Sequence, residues 1–77
     1  MKIKLHKDAR KYLSRLTQKS VARILNAIGS LPEGDVAPLK GRHPKMRLRI
    51  GEYRVIFEYF GDIVYVLEIG NRGDVYK

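Results

Sequence analysis

The stretch MRLRIGEYR, Met46 to Arg54, holds three arginines in a pattern that chemistry could use. Arg47 and Arg49 alternate with Met46, Leu48 and Ile50, so in an extended strand both guanidiniums share one face and the apolar side chains the other. Gly51-Glu52 reads as a tight turn, and Arg54 follows closely enough to join the same face if the register fits. At the end of the chain, in IGNRGDVYK, Arg72 and Tyr76 leave the last strand with Gly70 and Gly73 flanking the arginine. Four arginines and a tyrosine converging on one concavity suit a phosphoryl group, because each guanidinium fork holds two of its oxygens through parallel hydrogen bonds. Taken singly, each arginine is an ordinary solvated surface charge; the grouping carries the argument.

These side chains need elements to position them. Met1 to His6 has the period of a half-buried edge strand, with Ile3 and Leu5 opposite Lys2, Lys4 and His6. From Asp8 the period lengthens: Ala9, Tyr12, Leu13 and Leu16 form one amphipathic stripe, Thr17 caps a second helix, and Val21, Ile24, Leu25, Ile28 and Leu31 repeat the stripe. Gly29 and Pro32-Glu33-Gly34 close that helix, and Asp35 to Pro44 reads as a loop. Within and after it, Lys40, Arg42 and Lys45 are candidate RNA-binding residues, and His43 reads as a loop histidine without a role. Three antiparallel strands complete the chain, Met46–Ile50, then Tyr53 to Phe60, then Ile63 to Ile69, with Gly61-Asp62 as the second turn. In the last strand Ile63, Tyr65, Leu67 and Ile69 alternate with Val64, Val66 and Glu68. The expected architecture is α+β over a single domain, residues 1–77, with a helical hairpin packed on one face of a four-stranded sheet.

Composition narrows the partner. The 77 residues carry a net charge of +8 with 44% apolar content, which describes a globular chain that seeks a polyanion. Nucleic acid, an acidic protein or a membrane surface would answer. The longest apolar run, Ile63 to Leu67, is too short to span a bilayer, and the N-terminus lacks the apolar core of a signal peptide, so a cytoplasmic protein is expected. With no cysteine and two isolated histidines, no metal site and no cofactor are expected.

In order and spacing, the lysine-rich first strand, the hairpin with Ala9, Leu13 and Leu16, PLKG at Pro38 to Gly41, RLRIGEYRVIFEY and the closing IGNRGDVYK resemble the RelE/ParE superfamily of bacterial toxin-antitoxin toxins. The resemblance covers nearly the whole chain, and its most specific parts are GEYRVIFEY and the Arg72-to-Tyr76 ending. A RelE-like member implies a ribosome-dependent mRNA endonuclease in which a 2′-hydroxyl attacks the adjacent phosphate. On that resemblance Arg54 and Arg72 bind the phosphate, Tyr76 orients or stacks on the nucleotide, and Arg47 and Arg49 stand where relatives often carry lysines. The implied partners are a cognate antitoxin, the ribosome and mRNA, with operator DNA reached only through the antitoxin.

The acid-base chemistry is where this sequence departs from the family. Guanidinium is a poor general base, and Asn71 stands where many relatives place a histidine. Glu52, Glu58, Glu68, Tyr76 or a ribosomal group could take the proton, and the sequence does not choose among them. Two other functions fit the same residues: a ParE-type DNA gyrase inhibitor, and a noncatalytic nucleic-acid-binding module that represses with its antitoxin. The basic helix faces, with Lys7, Arg10, Lys11, Arg15, Lys19 and Arg23, read first as solubilising charge and second as a surface for ribosomal RNA.

Overall fold

The helix signals read from the sequence are realised with their caps. A computed structural model describes residues 2–39, 41 and 44–71. Strand β1 (Lys2–Leu5) leads into α1 (Lys7–Leu13), whose N-cap His6 accepts a hydrogen bond from the Asp8 amide through Nδ1. The helix stops where Ser14 turns its hydroxyl onto the Lys11 carbonyl at 2.6 Å, an alternative that serine offers the backbone at helix ends. Thr17 caps α2 (Gln18–Gly29) by accepting from the Ser20 amide, as its position before the second stripe predicts. Ile24 and Ile28 are fully buried and Leu31 completes the stripe just past the helix, whereas Leu25 lies at the flank and stays 37% exposed.

Five strands follow the order β1-β5-β4-β3-β2, with β2 at Asp35–Pro38, β3 at Met46–Ile50, β4 at Tyr53–Phe60 and β5 at Ile63–Asn71. The architecture is α+β with both helices on one face, and it differs from the four-stranded expectation in one element. Asp35–Pro38 was expected as loop but pairs antiparallel with β3. Four residues ending in proline carry too little pattern to announce a strand, and proline is tolerated there because the strand is at the sheet edge. The sheet is also mixed, since β1 lies parallel to β5.

The helix-facing side of the sheet supplies Leu48, Ile50, Tyr53, Val55, Phe57, Val64, Val66 and Ile69, which pack with Ala9, Leu13, Ile24, Ile28 and Leu31 into the main core. Strict alternation in β5 does not survive. Phe57 pairs with Val66 but Ile56 pairs with Glu68, so Leu67 is an extra residue in a bulge. A bulge shifts the phase of a strand by one, which lets Val64, Val66 and Ile69 all face the helices. Leu67 falls on the opposite face, where it packs with Ile56 and Leu39 in a small second cluster.

Candidate functional site

The far face of the sheet collects the arginines of MRLRIGEYR. Asp35 pairs with Arg49 and Arg49 with Arg54, whose next neighbour across β4 and β5 is Gly70. The adjacent row runs Ala37, Arg47, Ile56, Glu68. Facing residues in such ladders have Cα atoms about 4.5–5.5 Å apart, so Arg49 and Arg54 are direct neighbours and Arg47 is the diagonal neighbour of Arg54. Three guanidiniums that the sequence separates by up to seven positions thus share one patch. Like charges directly opposite cost up to about 1 kcal/mol, so this placement is not one that stability selects.

Each arginine sits differently. Among the described residues Arg54 is the one buried charged residue, 6% exposed, and its Nη1 donates to the carbonyls of Gly51 at 3.2 Å and Tyr53 at 3.1 Å. Among the described residues no carboxylate pairs with it. Arg47 keeps 17% of its side chain exposed, and its buried Nη1 lies 3.7 Å from Asp35 Oδ1 without a hydrogen bond. Arg49 is half exposed, with Nε 3.4 Å from Asp35 Oδ2. Among the described residues, one carboxylate therefore faces two guanidiniums.

The turn that presents Arg54 is tied to the helix layer. Gly51 has φ +57° and its Cα lies directly against the Arg23 guanidinium, which also reaches Glu52 at 4.0 Å. Beside it, the Tyr53 hydroxyl donates to Ser20 Oγ at 3.4 Å. Gly51 holds the conformation that an L side chain rarely adopts, and its carbonyl is one of the two that receive Arg54.

Of the other sequence candidates, Lys45 lines a depression of about 160 Å³ with His6, Asp8, Leu67 and Glu68. Arg72, Tyr76, Lys40 and Arg42, together with His43, lie outside the described residues. The three glutamates proposed as proton carriers are dispersed: Glu52 pairs with Arg23 at the turn, Glu58 lies opposite Tyr65, and Glu68 is two strands from Arg47. Asp35 is the acidic residue that Arg47 and Arg49 share, and the sequence does not single it out because a four-residue segment ending in proline reads as loop.

Comparison with known proteins agrees with this architecture. The family described as ParE toxin of type II toxin-antitoxin system, parDE, matches residues 3–76. No match was found among curated protein sequences. In the RelE–RelB complex of Pyrococcus horikoshii, a solved chain is 26% identical with a TM-score of 0.72, covering 95% of this chain and 96% of that one. A chain of the RelB–RelE antitoxin-toxin complex of Methanococcus jannaschii superposes with a TM-score of 0.77 at 24% identity, over 95% and 94% of the two chains. The isolated RelE toxin of E. coli gives 0.68 at 13% identity, over 97% and 87%; these last two likenesses speak for the fold alone. A family match that leaves out only the first two residues and the last, on a sheet-and-hairpin fold shared with RelE structures, means that this chain belongs to the ParE toxin family of type II toxin-antitoxin systems, within the RelE/ParE superfamily.

Proposed function

We propose that this toxin is an endoribonuclease that cuts mRNA on the ribosome, with Arg47, Arg49 and Arg54 holding the scissile phosphate and Arg72 and Tyr76 completing the site. The observation that carries the reading is Arg54: a buried guanidinium, held by two backbone carbonyls, directly across from a second arginine. A fixed positive group of this kind costs stability and serves charge that develops elsewhere. In-line attack by a 2′-hydroxyl places extra negative charge on the phosphoryl oxygens, and preorganised arginines stabilise that charge without reorienting. Lys45, Lys40 and Arg42 would follow the RNA backbone beside the cleavage site.

The partners follow from the same chemistry. Two of the similar structures are complexes of a toxin with RelB, and a cognate antitoxin that covers this arginine face is the expected regulator here. Ribosome and mRNA are the proposed targets, in the cytoplasm. The family match by its ParE description favours one other reading, inhibition of DNA gyrase. Primer extension on a message held by translating ribosomes decides between them. Ribosome-dependent cuts by the wild-type protein that vanish in Arg54→Ala support the endonuclease. A folded protein that arrests growth and breaks DNA without cutting message supports the gyrase reading.

A further inference from the structure

We propose that Asp35 is the catalytic base of this toxin, the group that takes the proton from the attacking 2′-hydroxyl; the assignment rests on the endonuclease reading. Its two carboxylate oxygens face the two guanidiniums that flank Arg54, Oδ1 towards Arg47 Nη1 at 3.7 Å and Oδ2 towards Arg49 Nε at 3.4 Å. Both distances are longer than a good charge-assisted hydrogen bond, and Arg47 Nη1 is buried without an acceptor. Arg47 is thus held but not satisfied, and Arg49 is half open to solvent. A phosphate entering the patch offers them better-placed oxygens, and the carboxylate they release stays at the edge of the same site.

The reach is right for the reaction. In an attacking geometry the reacting oxygen sits about 3–3.5 Å from phosphorus, so a carboxylate in contact with the arginines that hold the phosphoryl oxygens lies within one side-chain length of the 2′-hydroxyl. Asp35 is about half exposed, which leaves room for a ribose. The glutamates do not compete. Glu52 belongs to the turn and to Arg23. Glu68 lies one strand from Arg54 and diagonal to it, but it stands two strand spacings, about 9.5 Å, from Arg47 and forms no ion pair with either guanidinium that Asp35 faces.

The step balances without any cofactor. The Asp35 carboxylate accepts the proton as the 2′-oxygen forms its bond to phosphorus; the bond from phosphorus to the 5′-oxygen breaks, and that oxygen takes a proton from water. The products are a 2′,3′-cyclic phosphate and a 5′-hydroxyl, and Asp35 then returns its proton to solvent.

The test compares wild type, Asp35→Asn and Asp35→Glu in two assays. One is single-turnover cleavage of message on programmed ribosomes. The other is binding to ribosomes whose message carries a 2′-deoxynucleotide at the cut site. Loss of a base slows cleavage by about a hundredfold or more, while removing the negative charge frees two arginines, so Asp35→Asn binds the uncleavable message at least as tightly as wild type. Asp35→Glu keeps part of the rate. Asp35→Asn cutting at the wild-type rate overturns the assignment and leaves the endonuclease reading intact, and so does a parallel loss of rate and binding, which marks a structural role. A wild-type protein that makes no cut overturns both.

Discussion

The two faces of the sheet follow opposite rules. On the helix side the central inward positions are apolar and buried, from Val55 and Phe57 in β4 to Val64 and Val66 in β5. On the far side, one residue over in the same strands, stand Arg47, Arg49 and Arg54, beside a small cluster of Ile56, Leu67 and Leu39. The first face is arranged as hydrophobic burial asks. The second accepts facing like charges and a buried arginine, and a small fold tolerates such violations where a ligand uses them. That difference separates the residues that make the protein fold from those that the proposed cleavage would use.

The largest expected effect lies in the core. Phe57→Ala removes a fully buried ring at the centre of the sheet, a change that typically costs 3–5 kcal/mol, while a chain of this length has about 4–12 kcal/mol in all. Urea denaturation should show this variant partly or wholly unfolded. Ile56→Ala, one residue away on the other face, removes an equally buried side chain from a cluster of three. It should cost about 2 kcal/mol, the low end for such truncations. Equal losses for the two would mean that the second cluster belongs to the main core.

Arg54→Leu reverses the pattern. The substitution removes a buried charge and its two carbonyl contacts but leaves an apolar side chain beside Ile56, so the denaturation midpoint should stay within about 1 kcal/mol of wild type or rise. Ribosome-dependent cleavage should fall by about a hundredfold or more. A loss of stability beyond about 2 kcal/mol with cleavage retained would instead make Arg54 a structural residue.

How far these faces could be read in the sequence depends on how many residues each pattern spans. The helix stripes, the Thr17 cap and the side of β3 that carries Arg47 and Arg49 were legible because period and cap residues repeat over whole elements. The edge strand Asp35–Pro38 was not: a four-residue segment with a terminal proline has the same appearance as a loop, and with it went Asp35 and its contacts to both arginines. The bulge at Leu67 was hidden for a related reason, since the apolar run Ile63 to Leu67 offers no polar residue before Glu68 to mark a change of phase. What the sequence could place was therefore the arginines, and what it could not place was the carboxylate between them.

The smallest expected effects concern the two turns, which share a backbone conformation and differ in surroundings. Gly51 and Gly61 both have φ +57°, so alanine at either incurs left-handed strain of about 1–2 kcal/mol. Around Gly61 there is open space, but a Cβ on Gly51 would collide with the Arg23 guanidinium. Gly51→Ala must displace that side chain from Glu52, and it does so in the turn that carries one of the two carbonyls receiving Arg54 Nη1. Gly61→Ala should lower the denaturation midpoint by its strain and leave the rate of cleavage unchanged. Gly51→Ala should lower the midpoint somewhat more and also slow cleavage several-fold, because the guanidinium is aimed by the turn. The double variant Gly51→Ala with Arg23→Ala isolates the cause: removing the clashing side chain should recover stability down to the strain of the turn. If cleavage recovers with it, the turn alone aims Arg54; if cleavage stays slow, Arg23 is itself needed to hold the turn in place, and the helix layer reaches through it into the chemistry of the opposite face.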